Sequence, residues 1–331
     1  MSLPQGSLLF ILLLALIYGY LNGQHGSASI VATIISSRAL GPRRALLLAA
    51  ISIAAGPFLL GVAVATTIGS DLIVPEATTV PVVSAALIGA IVWSALTFQL
   101  QIPSSISQAL IGGVVGAVTV GQGWEAVQIP GLLRTLAALF LSPMLGMFAG
   151  FWIVRISYAL ASTATPHVNK SFKRWQVIVS IIMALAFGAN DGQKIMGMVV
   201  LGLIATGTLE SFQIPTWVVA FSAGSIAIGT LAGGWRLIHT LGGKFYKIRP
   251  IHGFGAQVAS AMVMLGAAVT GGPVSGSQVV TSAIVGAGSA DRIQQVRWSV
   301  ARNVVIGWLL TLPFAAVTAA VAYMILERLV Q

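Results

Sequence analysis

The sequence predicts an all-α polytopic membrane protein, built from two inverted-topology repeats with broken helices and re-entrant hairpins. Three observations lead there. Of the 331 residues, 57% are hydrophobic and only 7% are charged, against about 25% charged in a soluble domain. Apolar runs long enough to cross a bilayer recur along the whole chain. One polar motif occurs twice, and the loops around its two copies carry opposite charge.

A spanning helix needs about 20 apolar residues to cross about 30 Å of hydrocarbon. The first run covers Ser7 to Ile35 and is interrupted by NGQHGSAS, Asn22 to Ser29. No basic residue precedes it, so it lacks the charged start of a cleaved leader and reads as a retained helix. The following runs are Ala45–Ile68, Val80–Phe98, Leu132–Leu160, Gln176–Ile204, Trp217–Ala232, Gly253–Val269 and Val300–Leu326. The run from Gln176 is interrupted by GANDGQK, Gly188 to Lys194. Ala109–Val120 and Val279–Ala287 each follow a polar break and are too short to cross alone.

The motif P-x-S-x-S-Q begins at Pro103 and again at Pro273, 170 residues later. Each copy runs into a short apolar piece ending in Val-Gly-Ala, Val115–Ala117 and Val285–Ala287. The two polar interruptions form a weaker pair, with His25-Gly26 aligning on Asn190-Asp191 at an offset of 165. Equivalent loops reverse sign. RALGPRR (+3) pairs with TGTLESFQIP (−1), SDLIVPEATT (−2) with Gly234–Pro250 (+4), and GQGWEAVQIP (−1) with SADRIQQVR (+1). Basic loops stay cytoplasmic, so the copies insert in opposite directions, the pattern of secondary transporters with a site between the halves. The organisation is then residues 1–161 as first repeat, 162–175 as a basic cytoplasmic linker, and 176–331 as the second, inverted repeat.

Polar backbone at membrane depth is tolerated only where protein or a water-filled cavity surrounds it. Four such stretches converging on one cavity is the simplest arrangement, although Ser and Gly also line plain helix contacts. At the P-x-S-x-S-Q tips, a helix N-terminus offers unpaired N–H groups to an anion. Ser104, Ser105, Ser107, Ser275 and Ser277 add hydroxyls, Gly276 permits close approach, and Gln108 and Gln278 offer amides. These eight are the candidate anion-binding residues. Asn22, His25, Asn190, Asp191 and Gln193 are the candidate cation-binding residues, with Na⁺ placed at Asp191 and Asn190. A carboxylate in an apolar run commonly marks an ion or proton path. The plainer reading is that Asp191 pairs with Lys194 one turn later.

The net charge of +10 follows from basic cytoplasmic loops, and no basic stripe interleaved with aromatics points to nucleic acid. The chain has no cysteine, which excludes disulfides and thiolate chemistry. HExxH, Walker A and G-x-S-x-G motifs are absent. The chain therefore reads as a carrier and not an enzyme. It needs no cofactor, and uphill flux would draw on an ion gradient.

NGQHGSASIVATIISSRAL, QIPSSISQALIGGVVGA, FGANDGQKIMGM, GGWRLIHTLG and PVSGSQVVTSAIVGAGSADRIQQVRW resemble the inorganic phosphate transporter (PiT) family, through both halves and over nearly the whole chain. The resemblance implies Na⁺- or H⁺-driven phosphate symport, with phosphate at the hairpin tips and the cation beside the broken helices. It also implies a multi-pass place in the plasma membrane. Where the family has Asp in the first broken helix, this chain has Gly26. A family His is Phe187, and the tip positions Ile106, Ser107, Gln108, Gly276, Ser277 and Gln278 replace Thr-Thr-His. A sulfate permease of the same fold and a passive anion channel are the alternatives. Expected partners are inorganic phosphate or sulfate, the lipid bilayer, and a second copy in a homodimer.

Overall fold

A computed structural model describes residues 3–163, 165 and 167–330. Met1, Ser2, Ala164, Pro166 and Gln331, which fall within the expected repeats and linker, lie outside the described residues. Among the described residues, twelve α-helices make up the fold. Backbone groups in hydrocarbon must be satisfied within their own segment, and the helix does this. The nearest approach to a strand among the described residues is one antiparallel bridge, Ile73 to Val127.

In the first half, α1 is Leu3–Ser36, α2 Pro42–Leu60, α3 Ala63–Ser70, α4 Val80–Gln99, α5 Ile106–Gln122 and α6 Ile129–Leu160. In the second half, α7 is Val168–Ala205, α8 Thr216–Ala232, α9 Trp235–His239, α10 Pro250–Thr270, α11 Gly276–Asp291 and α12 Trp298–Val330. A π-turn, Thr240–Lys244, extends α9. Among the described residues, seven helices are long and apolar enough to cross a membrane, or eight if α8 and the α9 segment, bent by 64°, count as one. Lys170, Lys173 and Arg174, expected in the linker, stand on the first turns of α7.

The helix breaks fall elsewhere than the sequence suggests. Both polar stretches stay helical, inside a 34-residue α1 and a 38-residue α7. At about 1.5 Å per residue these helices exceed the hydrocarbon thickness and must tilt or protrude. The breaks lie instead in the second helix of each half, at Gly61 between α2 and α3 and at Gly233 between α8 and α9. Both glycines adopt positive φ, 82° and 73°, which L-residues with a Cβ avoid. Ala45–Ile68, expected as one span, is therefore two helices.

The polar stretches satisfy these breaks across the two halves. Gln193 of α7 accepts from the Val64 and Ala65 amides at 2.6 and 3.2 Å and donates to the Gly61 carbonyl at 2.6 Å. Ser27 of α1 accepts from the Gly234 amide at 2.8 Å, and Thr230 donates to the Gly23 carbonyl. Residues read as breaking their own helix thus cap a neighbour's.

The packing is reciprocal. α1 packs on α8 as α7 packs on α2, α4 on α12 as α10 on α6, and α5 on α12 as α11 on α6. The tightest crossings use matched glycines. A Cβ on Gly116 would strike the Ala316 backbone of α12, and one on Gly286 the Met147 backbone of α6. Each hairpin also begins and ends on one face. At the base of α4–α5, Val74 donates to the Ala126 carbonyl and Gln128 to that of Leu72. At the base of α10–α11, Arg297 donates to the Phe245 carbonyl and Arg249 lies 3.7 Å from Asp291. Here Tyr246 donates to the Ile284 carbonyl, and burial, then Tyr158 and Asp291, push its phenol up, so it stays a donor.

The outer faces of α6 and α12 carry bare apolar side chains, including Met144 (67% exposed), Phe148 (66%) and Val317 (65%). Water-soluble monomers rarely expose patches of this extent.

Candidate functional site

The hairpin tips meet. Ser105 ends the first tip as the N-cap of α5, its hydroxyl accepting from the Gln108 amide at 3.1 Å. The same hydroxyl donates to Ser275 of the other tip at 2.8 Å. Ser277 crosses over to the Ser104 carbonyl at 2.8 Å, and Ser107 to the Val274 carbonyl at 3.3 Å. Neighbouring helices hold each tip in place. Thr97 of α4 bonds Ser104 at 2.7 Å, and Trp308 of α12 donates to the Pro103 carbonyl at 3.0 Å. Thr67 of α3 donates to the Gly271 carbonyl at 3.0 Å and Asn190 of α7 to that of Gly272 at 3.0 Å.

Below the tips lies an ion pair. The Lys194 ammonium is 2.5 Å from Asp191, and both side chains are buried. It also donates to Ser107 Oγ and to the Val274 carbonyl, each at 2.6 Å. Asn22 of α1 lies beside the Asp191 carboxylate. A pair this deep is stable only with its remaining hydrogen-bonding capacity satisfied, and here both hairpins help satisfy it.

Several polar atoms around the tips are buried with no hydrogen-bond partner among the described residues: both amide atoms of Gln108, Gln278 Oε1 and Asn190 Oδ1. Leaving a buried polar group unmatched costs about 1–3 kcal/mol. A cluster of them marks a place built for polar company.

All eight expected anion-site residues are thus at or directly behind the meeting tips. Of the expected cation residues, Asn22, Asn190 and Asp191 join them. His25 does not: its Nδ1 faces the Leu21 carbonyl at 3.0 Å and its ring lies against Phe98, centroids 5.6 Å apart. Gln193 is held by the backbone of the α2–α3 break, as above. Two further residues belong to the site: Lys194, which the sequence presents only as a neutraliser of Asp191, and Thr97, which carries no sequence signal. The signal for Lys194 was a lone ammonium within an apolar run.

Phe187 accounts for a group of sequence departures. Its buried ring fills the space between α1 and the second tip. A Cβ at Gly26 would stand 2.5 Å from the ring on one side, and a Cβ at Gly276 2.5 Å from it on the other. A larger residue at 26 or 276 would force the Phe187 ring to move.

Comparison with known proteins agrees with this architecture. The profile of the phosphate transporter family matches residues 22–166 and 157–319. The chain belongs to the phosphate transporter family. It is 40% identical over 311 residues to a Rhizobium meliloti (strain 1021) protein named "Probable low-affinity inorganic phosphate transporter", covering 93% of each chain. It is 37% identical to a Bacillus subtilis (strain 168) protein of the same name, covering 97% of each. A solved structure described as the sodium-dependent phosphate transporter superposes with a TM-score of 0.88 at 23% identity, over 97% of this chain and 99% of that one. Family membership and the apolar helices make this a multi-pass plasma-membrane protein. Its relatives are transporters, not enzymes.

Proposed function

We propose that the protein carries inorganic phosphate across the plasma membrane by alternating access. The anion binds between the two hairpin tips, and a Na⁺ or H⁺ gradient drives its movement. The direct Ser105–Ser275 hydrogen bond supports this reading most strongly, because it joins equivalent serines 170 positions apart in one buried polar centre. Hydroxyls and helix N-termini from two opposed elements suit a tetrahedral oxyanion. The names of the bacterial relatives and of the solved neighbour point to the same substrate. In this reading residues 1–161 and 176–331 are inverted repeats, and the reciprocal packing and the one-sided hairpin bases are what such repeats would produce.

Phosphate is favoured over sulfate by the unpartnered carbonyl oxygens of Gln108 and Gln278. At neutral pH phosphate carries at least one O–H that needs an acceptor, whereas sulfate carries none. The deciding measurement is uptake of labelled phosphate and of labelled sulfate into proteoliposomes, under imposed Na⁺, H⁺ and null gradients. Phosphate should accumulate above equilibrium under at least one cation gradient. Accumulation of sulfate alone would reassign the substrate, and flux that only equilibrates would make the protein a channel. The bare faces of α6 and α12 are assigned to lipid, with one such face available to a homodimer.

A further inference from the structure

We infer that Lys194 is a tethered cation. Its ammonium stands permanently where a mobile coupling ion would otherwise sit in the second half, so transport by this chain is independent of Na⁺. The inference rests on the phosphate-carrier reading above and chooses between its two coupling ions.

The surroundings of the ammonium carry the case. Nζ has three oxygens around it: Asp191 Oδ1 at 2.5 Å, Ser107 Oγ at 2.6 Å and the Val274 carbonyl at 2.6 Å. A carboxylate, a hydroxyl and a backbone carbonyl are the hard oxygen donors that alkali and alkaline-earth cations take. A lysine ammonium has three donors and no acceptor. All three are engaged by protein oxygens, so none is left to reach a phosphate. Lys194 is therefore seated as a cation in an oxygen cage and does not serve as an anion ligand.

The three oxygens come from three elements: α7, the first tip helix and the second tip. A positive charge there ties both hairpins to α7, and an ion arriving from solution would do the same only while bound. Electrostatics also exclude a second occupant. A free cation beside a buried ammonium would be repelled, and Asp191 supplies one negative charge, already neutralised. The first half offers no substitute. Gly26 stands where a carboxylate would be, Phe187 fills the adjoining space, and Ser29 stands at the position equivalent to Lys194 by the offset of 165. Among the described residues, no cluster of three or more His, Asp or Glu side chains is placed to hold a metal ion.

The test has a binding arm and a transport arm. Purified wild-type protein in detergent should bind no ²²Na⁺ above background in choline buffer. Lys194→Ala should expose the cage and bind ²²Na⁺, and Lys194→Ala combined with Asp191→Asn should lose that binding again. In proteoliposomes, wild-type phosphate uptake should be equal in Na⁺ and choline media. Lys194→Ala uptake should be low in choline and rise at least tenfold with Na⁺. Wild-type uptake that requires Na⁺ overturns the proposal, and this measurement needs no variant to fold. A monodisperse Lys194→Ala protein that binds no Na⁺ overturns it as well. If Na⁺ binding follows the expected pattern while no preparation moves phosphate, the tethered cation stands and the phosphate assignment fails.

Discussion

Phe187 illustrates how one side chain rearranges a site. Its ring abuts Gly26 on α1 and Gly276 on the second tip, so three departures from the family pattern are one packing event. Restoring Asp at position 26 would drive a carboxylate into a buried aromatic ring, joining overpacking to the desolvation of a charge. Gly26→Asp is therefore expected to destabilise the protein by about 3 kcal/mol or more, read as a lowered unfolding temperature in detergent. Adding Phe187→Ala should recover part of that loss, because the two positions are in contact and their effects are not additive. Purely additive losses would show that the ring is not what excludes the carboxylate.

At the scale of elements, the broken second helices depend on side chains from the opposite half. Gln193 satisfies two amides and a carbonyl at the α2–α3 break. Gln193→Leu, close in size, removes all three bonds and leaves backbone groups unmatched in a buried place. At about 1–3 kcal/mol for each group left bare, the expected result is a large drop in thermal stability and yield. Surviving Gln193→Leu protein should keep the cation preference of the wild type. A changed cation preference with unchanged stability would move Gln193 from the helix break to the ion path. The matched crossings at Gly116 and Gly286 make a second comparison. Alanine at either position meets backbone that cannot swing aside, so the two substitutions should destabilise to a similar degree, checked by size-exclusion profile after heating.

For the whole molecule, reciprocal packing acquires meaning only if the two halves face opposite ways across the membrane. The chain has no cysteine, so single cysteines can be introduced without a background. Arg44, Glu76, Glu210 and Lys247 are all exposed. Cysteines at 44 and 247 are expected to react with an impermeant maleimide only from the cytoplasmic side, and those at 76 and 210 only from outside. Labelling of 44 and 210 from the same side would refute the inverted arrangement, since these follow the equivalent helices α1 and α7.

Much of this was legible in the chain itself. Composition required lipid as solvent, the length of the apolar runs set the spans, and the recurrence of P-x-S-x-S-Q marked both tips and their eight candidate residues. These properties are local or periodic, and a linear sequence displays them. The sequence could not place the helix breaks. NGQHGSAS and GANDGQK look like interruptions because polarity in an apolar run is all that can be seen in one dimension. Gly61 and Gly233 look like ordinary glycines among many. Which backbone opens depends on which neighbour supplies the replacement hydrogen bonds, and Gln193 and Ser27 reach those gaps only once the two halves are packed. The same holds for Lys194. Its sequence position allows a plain ion pair with Asp191, but the second and third partners, Ser107 and Val274, lie 87 and 80 residues away. Only the tertiary structure, by bringing two distant hairpins onto one ammonium, decided that the charge is caged.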